Sequence, residues 1–257
     1  MNSVTRRKWL QRALTAVGGL ALTACDRIAE SNRVNAVLDW GEELNHRVQR
    51  VLLGRNALAR EYSEKDISRE FRANGTTNPD TDEYNTLARN RFASWKLSVD
   101  GLVERPLQLS LEQLRDMPAR TQITRHDCVE GWSCIGKWKG VQLSQLLAQA
   151  GLMSNARYIA FYCADTLEPT LDGTGQYYET IDLVDAVHPQ TLLAYDMNDQ
   201  PLDIAHGAPL RLRLERQLGY KMAKYVMRIE AIASFDKMGR GKGGYWEDRG
   251  YQWYAGI

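Results

Sequence analysis

The sequence predicts an α+β fold with mixed sheets and flanking helices, and three observations lead to this prediction. Stretches with strand-like alternation and stretches with helical spacing follow each other without the strict alternation of a doubly wound domain. The composition of the 257 residues, 44% hydrophobic and 25% charged, is that of an ordinary globular protein. The sequence contains no Walker loop, Rossmann glycine fingerprint or internal repeat.

The charge balance and the cysteines exclude several classes of protein. With 33 Lys and Arg against 32 Asp and Glu, the net charge is +1, so no overall field attracts nucleic acid or acidic lipid. Any anion site must therefore be local. The four cysteines show no paired CxxC spacing, which argues against a zinc ribbon and against a disulfide-stapled small domain.

Residues 1–25 have the pattern of an export signal. Arg6 and Arg7 resemble a twin-arginine motif, which directs folded proteins across a membrane, and the apolar run at 13–24 is shorter than the roughly 20 residues of a membrane-spanning helix. The segment ending in Cys25 resembles a lipobox, which predicts a lipidated N-terminus. Two plainer interpretations stay open: an ordinary basic leader, and an incidental apolar cysteine.

The elements can be justified in chain order. Helical spacing predicts one amphipathic helix at 33–53, and the polar stretch that follows completes an N-terminal segment at 26–90. The main domain is predicted at 91–235. There, alternation from Trp95 predicts a strand that Gly101 ends, and a capping box at Ser110 predicts a short helix. A further helix is predicted at 143–150, and further strands are predicted at 121–126, 157–163, 191–197, 209–214 and 224–232.

An ionisable cluster with a thiol follows the predicted strand at 121–126. Its sequence is Arg-His-Asp-Cys-Val-Glu-Gly-Trp-Ser, beginning at Arg125. A thiol at Cys128, flanked by Arg125 and His126, is predicted to have a lowered pKa and to offer a soft ligand to a metal. The plainer interpretation is that Cys128 is a small buried hydrophobe.

This motif carries a family resemblance. The Cys-Val-Glu-Gly-Trp-Ser stretch, about 30 residues after a Trp-x-Leu-x-Val strand, resembles the molybdopterin-binding domain of sulfite-oxidase-type enzymes. It is most similar to the bacterial branch that includes the periplasmic methionine-sulfoxide reductase catalytic subunit. The resemblance implies a single-pterin molybdenum cofactor, with Cys128 as the protein thiolate on the metal. It also implies that Glu130 is a catalytic proton donor, against the alternative that Glu130 pairs with Arg125 or caps the turn.

A second block resembles the elements by which this family holds the pterin cofactor. His-Gly-Ala-Pro-Leu-Arg at 206–211 precedes a Gly-x-Lys-x-x-Lys loop. The block contains five cations against one acid, and the resemblance assigns some of its residues, not Arg213 or Arg216, to the phosphate end of the pterin. The residues that the resemblance implies here are His206, Arg211, Met222, Ala223 and Lys224.

Three weaker positions belong to the same prediction. Arg72 and Asn74 match a family loop that contacts the pterin, across a gap of variable length. Cys163 falls where relatives place a small cofactor-contacting residue, and it is also a candidate for a disulfide with Cys134.

The mixed charge of a predicted substrate-side rim, which includes Asp165, makes sulfite a poor candidate for the substrate. The aromatic segment at 236–257 is predicted either to line the cleft mouth or to pack on the domain as a tail.

Two classes of function stay open. The favoured one is an exported periplasmic molybdenum oxidoreductase that transfers oxygen on a small substrate such as a sulfoxide, an N-oxide or a sulfite-like anion. No CxxCH haem motif is present, so the expected electron partner is a separate membrane haem-b subunit or another carrier. Membrane contact is expected only through a lipid on Cys25. The alternative is a non-catalytic, lipid-anchored binding protein with the same fold.

Overall fold

The structure, a computed structural model, describes residues 31–171 and 175–257, so the predicted export signal lies outside the described residues. The α-helices are α1 Asn32–Leu53, α2 Asp82–Arg89, α3 Leu111–Asp116, α4 Leu143–Ala150 and α5 Leu183–Ala186. Short 3-10 helices span Glu64–Asp66, Gly219–Lys221 and Glu247–Arg249. The strands are β1 Lys96–Gly101, β2 Leu107–Ser110, β3 Ala119–Asp127, β4 Ser133–Gln142, β5 Tyr158–Thr166, β6 Gln176–Asp182, β7 Leu192–Met197, β8 Gln200–Pro201, β9 Arg211–Arg213 and β10 Val226–Ile232.

Two five-stranded sheets form the body of the fold. The first has the strand order β2-β1-β10-β5-β6, with β1 and β10 parallel and the other neighbours antiparallel. The second has the order β3-β4-β7-β8, and β9 pairs with β7 at the side. Both sheets lie in the compact unit Leu53–Ile257, whereas α1 belongs to a separate unit that ends at Leu52. These mixed sheets confirm the α+β prediction.

Local sequence explains the predicted elements. Leu97 and Val99 of β1 are buried, whereas the alternating polar residues Lys96, Ser98 and Asp100 are exposed or partly exposed, as the alternation predicts. The Ser110 hydroxyl accepts a hydrogen bond from the Gln113 main-chain N–H at 3.2 Å, and the Ser110 N–H donates to the Gln113 side chain at 2.8 Å, which completes the capping box of α3. Helix α4 has the predicted bounds.

Strands β2, β4, β6 and β8 were not predicted, and β4 shows why. It contains Gly136 and Gly140, which usually weaken a strand. In the fold Gly140 must lack a side chain, because a Cβ there would lie 2.1 Å from the Leu193 carbonyl oxygen. A Cβ on Gly136 would crowd the Phe71 ring at 3.1 Å. Close packing that is visible only in three dimensions therefore selects glycine here.

The strand ends position a cleft. The loop 128–132 joins β3 to β4, and the 3-10 helix Gly219–Lys221 approaches the same point. The C-terminal segment returns to this region, because Gly244 bridges Glu179 of β6. No helix among the described residues is both long and apolar enough to cross a membrane.

Candidate active site

One cleft collects five of the ten residues predicted to bind the cofactor or to act in catalysis. A cavity of about 140 Å³ is lined by the predicted residues Asn74, Cys128, Glu130, Met222 and Lys224. Two of its other lining residues, Asp165 and Tyr177, belong to the predicted substrate-side rim, and Trp246 and Tyr251 belong to the aromatic segment expected at the mouth. The remaining lining residues are Gly75, Thr76, Val129, Leu167, Gly219 and Tyr220.

Cys128 lies in a tight turn immediately after β3, as the sequence predicts. Its N–H donates to the Trp132 carbonyl at 2.9 Å, and its carbonyl accepts from the Gly131 N–H at 3.1 Å. Gly131 has φ +84°, a left-handed conformation that glycine adopts without a steric penalty. The turn therefore fixes the thiol at the cleft wall, where it is 9% exposed.

The predicted lowering of the Cys128 pKa is wrong for the metal-free protein. Burial raises the pKa of the thiol, and the nearby Glu130 carboxylate raises it further, although N–H groups of the turn and the charge of Arg72 act in the opposite direction. Arg125, whose charge was expected to stabilise the thiolate, instead pairs with Asp127 at 2.9 Å. A thiolate at Cys128 therefore needs an added cation, such as a metal ion.

Glu130 lies at the exposed edge of the cleft. Its carboxylate accepts a hydrogen bond from the Trp132 indole N–H at 2.9 Å. The alternative pairing of Glu130 with Arg125 is absent, since Arg125 binds Asp127. The guanidinium of Arg72 lies 5.4 Å from the Trp132 ring centroid, which brings the predicted Arg72–Asn74 loop to the cysteine turn. The carboxylate is thus held, yet it remains open to solvent.

His126 is a site residue that the sequence analysis did not assign. It is fully buried beneath the cleft, and its Nε2 has no hydrogen-bond partner among the described residues. Burial and the nearby Arg213 charge lower its pKa well below the usual range, so the ring is neutral. A Cβ on Gly219 would lie 2.3 Å from His126 Cε1. Glycine at 219 therefore lets the main chain close over the imidazole.

The cationic block divides according to its partners. Arg213 pairs with Glu215 at 2.6 Å, and Arg216 pairs with Asp185 at 2.6 Å. Lys221 binds both Glu179 and Glu247, each at 2.5 Å. By contrast, neither Arg211 nor Lys224 has a carboxylate within 4.0 Å among the described residues. These two buried cations are the ones that the resemblance assigned to the cofactor's phosphate.

Lys224 holds the loop that carries Asn74. Its ammonium group donates to the carbonyl oxygens of Asn74 at 2.7 Å, of Ala205 at 3.1 Å and of Thr76. Burial and the charge of Arg211 lower its pKa to about 7. Carbonyl oxygens do not neutralise a cation, so the charge of Lys224 is available to a bound anion while its N–H groups position the loop.

Arg211 is buried and does not line the cleft. Its Nη1 donates to the His206 carbonyl at 3.0 Å, its Nε has no partner among the described residues, and the guanidinium packs 4.9 Å from the Trp138 ring centroid. Burial lowers its pKa to about 9. Gly207, at φ +107°, packs against the side chains of both Arg211 and Lys224. A Cβ on Gly207 would lie 2.9 Å from the Lys224 Cβ, so a larger residue would crowd the lysine.

The remaining predicted residues surround the cleft without lining it. His206 contacts the Asp203 carboxylate at 2.7 Å and the Phe71 carbonyl at 2.9 Å. Ala223 is buried, and its carbonyl accepts from the Leu212 N–H at 2.8 Å. Cys163 is fully buried in the first sheet.

The candidate disulfide does not form. Cys128, Cys134 and Cys163 are all free thiols. Cys134 packs against the small cluster around Trp138, whereas Cys163 belongs to the main core cluster.

The C-terminal segment meets both expectations for it. Trp246 and Tyr251 stack with ring centroids 5.3 Å apart at the cleft mouth, while Tyr245 is buried against the domain. Tyr178 and Glu179 lie outside the cleft lining: Tyr178 binds the carboxylate of Asp248 at 2.7 Å, and Glu179 binds Lys221.

These features fit a molybdopterin cofactor. Arg211 and Lys224 supply buried positive charge that no carboxylate of the described part of the chain pairs with, as a phosphate requires. Cys128 supplies a soft sulfur ligand at the cleft wall. The described residues contain no cluster of three or more His, Cys, Asp or Glu that could hold a metal ion by themselves.

Comparison with known proteins gives the family. The sequence profile of the oxidoreductase molybdopterin binding domain matches residues 84–238. A protein of Azospira oryzae that bears the name protein-methionine-sulfoxide reductase subunit YedZ1 is 38% identical over 251 residues, which covers 98% of this chain and 87% of the relative. The protein-methionine-sulfoxide reductase catalytic subunit MsrP of Campylobacter jejuni is 35% identical over 56% of this chain and 52% of its own length.

The chain spans about half the length of the MsrP relatives that it matches. Among solved structures, the sulfane dehydrogenase SoxCD of Paracoccus pantotrophus is similar with a TM-score of 0.49 and 23% identity, over 55% of this chain and 39% of that one. The profile match covers more than half of the residues, and the cleft has the charge and the thiol that a molybdopterin needs. The chain therefore belongs to the oxidoreductase molybdopterin-binding domain family and is a molybdopterin-dependent oxidoreductase.

Proposed function

We propose that this protein is the catalytic subunit of an exported enzyme that reduces sulfoxides, with protein-bound methionine sulfoxide as its main substrate. The observation that carries the proposal is the composition of the cleft, which combines Cys128 with an apolar and aromatic mouth. The names of the YedZ1 and MsrP relatives support the same substrate class. The reaction takes up two electrons and two protons, and it releases a thioether and water.

The residues of the cleft have separate roles in this proposal. Bound molybdopterin supplies a metal that accepts an oxygen atom and takes electrons in turn. Cys128 binds that metal through its thiolate. Glu130, held by Trp132 at the open edge of the cleft, carries a proton from solvent toward the departing oxygen. Arg211 and Lys224 hold the phosphate end, and the cluster of Arg72, Asn74, Cys163, His206, Met222 and Ala223 surrounds the rest of the cofactor.

The mouth of the cleft suits a methionine side chain. Trp246 and Tyr251 form a stacked pair there, and Leu167 and Val129 add apolar surface. Sulfur next to aromatic rings is a favourable contact, and methylene groups bury well against these side chains. An anion such as sulfite finds less support, because Lys224 is the cation among the described cleft-lining residues and its charge is assigned here to the cofactor's phosphate.

A reductase assay tests this function. Purified molybdenum-loaded protein is given reduced viologen as donor, with an oxidised methionine-containing peptide, free methionine sulfoxide or an N-oxide as acceptor, and sulfite oxidation is measured separately with ferricyanide. We expect the peptide to be reduced fastest, and Cys128→Ala to lower its turnover at least 100-fold. Cys134→Ala is the matched control, since Cys134 lies outside the cleft lining.

Two results would contradict the proposal. If sulfite were oxidised faster than any sulfoxide is reduced, the assigned substrate class would be wrong. If the loaded protein turned over none of these compounds, the non-catalytic, lipid-anchored binding protein would be the better interpretation, although family membership supports an enzyme.

We further infer export to the periplasm, a lipid anchor and a membrane haem-b partner. The support lies in the sequence: Arg6 and Arg7 before a short apolar run, Cys25 at its end, and no CxxCH motif in the chain. Replacing both arginines by lysine should retain the precursor in the cytoplasm, and mass spectrometry of the mature protein should find acyl groups on Cys25. Normal export of the double variant, or an unmodified Cys25, would contradict these assignments.

A further inference from the structure

A buried cluster of charges joins the C-terminal segment to the wall of the cleft. The Lys221 ammonium lies 2.5 Å from a carboxylate oxygen of Glu179 and 2.5 Å from one of Glu247, and all three side chains are at most 1% exposed. These three residues are called the charge triad below. It contains two acids for one base, and Glu247 Oε2 has no hydrogen-bond partner among the described residues. The catalytic roles proposed above make no use of these acids.

Each member of the charge triad lies on an element that also supplies residues to the cleft lining. Glu179 lies on β6, and Lys221 is the last residue of a 3-10 helix; both elements contribute lining side chains. Glu247 directly follows Trp246, which stacks on Tyr251 at the cleft mouth. The triad therefore lies behind the mouth and ties its separate walls together.

The main chain leaves room for this arrangement. Gly244 bridges Glu179 at the edge of the first sheet. A Cβ on Gly244 would lie 2.0 Å from Glu247 Oε2 and 2.8 Å from Glu179 Oε1, so a larger residue would overlap both acids. Glycine at this position lets the C-terminal segment close over the two carboxylates.

A buried ion cluster is an inefficient way to stabilise a fold. Removing the charges from water costs free energy that offsets much of their attraction, and apolar residues of similar volume often stabilise a protein as well or better. Charge-assisted hydrogen bonds do fix the distance and direction between the groups that they join. The charge triad therefore suits positioning better than stabilisation.

We propose that Glu247, through Lys221 and Glu179, positions Trp246 and Tyr251 as the surface that contacts the polypeptide around an oxidised methionine. A small sulfoxide can reach the thiol end of the cleft without covering the mouth, so it does not need this surface. Glu247 is thus a positioning residue that determines specificity for peptide substrates. The inference rests on the sulfoxide reduction proposed above and deepens it.

The test compares Glu247→Ala with Glu247→Gln in the molybdenum-loaded, full-length protein. Alanine removes the contact with Lys221, whereas glutamine keeps an oxygen that accepts from the ammonium group. Steady-state rates are measured with an oxidised methionine-containing peptide and with dimethyl sulfoxide. We expect Glu247→Ala to raise the peptide KM about 10-fold without changing kcat, and to leave both constants for dimethyl sulfoxide unchanged. Glu247→Gln should restore the peptide KM to near the wild-type value.

Amide hydrogen exchange gives a second readout that needs no turnover. In Glu247→Ala, exchange should become about tenfold faster at 244–253 and stay unchanged at 128–132. Molybdenum per chain should equal that of wild type, because Glu247 is not among the residues proposed to hold the cofactor. Glu104→Ala, which removes an exposed ion pair with Arg105, is the control and should change none of these quantities.

Several outcomes would overturn the inference. An unchanged peptide KM or unchanged exchange at 244–253 in Glu247→Ala would show that the acid does not position the mouth. Equal losses with both substrates, or a loss of molybdenum, would assign Glu247 a purely structural role. Wild type that reduced no sulfoxide would refute the proposed function and the peptide specificity with it, whereas faster exchange at 244–253 would still support the positioning of the segment by Glu247.

Discussion

Five buried or nearly buried cations lie between Arg211 and Lys224, and their partners divide them into structural and available charges. Arg213, Arg216 and Lys221 each bind a carboxylate, so their charge is already compensated inside the protein. Arg211 and Lys224 do not, and burial lowers the pKa of both. An anion bound beside them would restore their usual pKa, which is why we assign the cofactor's phosphate to these two.

Replacing Arg211 tests this assignment. Each charge-assisted hydrogen bond contributes about 1.5–3 kcal/mol, so Arg211→Ala should weaken cofactor binding about 10- to 100-fold. We expect the purified variant to contain much less molybdenum per chain, measured by elemental analysis. Arg228→Ala removes a cation that pairs with Asp100 and serves as the control. Unchanged molybdenum content in Arg211→Ala would refute the assignment.

The raised pKa of Asp165 predicts that the stability of the cofactor-free protein depends on pH. Burial raises the pKa of Asp165 from 3.8 to about 6, so the folded state binds this proton more tightly than the unfolded chain does. The group therefore lowers the free energy of unfolding as the pH rises from about 4 to about 6. The stabilisation of Asp165→Asn relative to wild type should be larger at pH 7 than at pH 4 by about 2 kcal/mol, measured by urea unfolding. If the difference in free energy of unfolding between Asp165→Asn and wild type did not change with pH, burial would not raise the pKa of Asp165 as stated.

At this scale the sequence could point to Cys128, Met222 and Lys224, because they belong to recognisable motifs. It could not point to His126 or to the unused oxygen of Asp165, since both depend on burial and on what lies opposite in space. The error in the Cys128 pKa has the same origin. Neighbours in sequence, such as Arg125, face away along a strand and do not contact the thiol.

At the scale of elements, periodicity predicted the strands with clean alternation and the helix α4. Periodicity misplaced the ends of strands, or missed strands, where tertiary packing interrupts the pattern. Strand β9 is restricted to Arg211–Arg213 within the predicted 209–214, and Pro209 has no N–H for a sheet. Strand β6 carries Glu179, a buried acid that alternation would place in solvent; it is buried because Lys221 pairs with it.

The loop around Asn74 is held by two side chains that are far from it in sequence. Lys224 and the Tyr225 hydroxyl both bind main-chain oxygens of this loop, the latter contacting the Thr76 carbonyl at 2.8 Å. Lys224→Met should therefore speed amide hydrogen exchange at 74–76 at least tenfold. Lys237→Met, which changes an exposed lysine, is the control. Unchanged exchange at 74–76 would mean that the lysine does not hold the loop.

At the scale of the whole molecule, the cleft is assembled from segments that are far apart in sequence. The loop at 72–76, the turn at 128–132, the bulged end of β5, the block at 206–224 and the C-terminal aromatic residues all meet there. Composition and periodicity cannot bring such segments together. The family resemblance could, because it ties the thiol motif and the cationic block to one cofactor.

The central claim is that Cys128 binds the metal of a molybdopterin held in this cleft. X-ray absorption at the molybdenum edge tests it most directly, by counting the sulfur ligands in wild type and in Cys128→Ser. Cys134→Ser, changed outside the cleft lining, is the matched control. We predict one sulfur ligand fewer in Cys128→Ser and no change in the control. An unchanged sulfur count in molybdenum-loaded Cys128→Ser would contradict the claim.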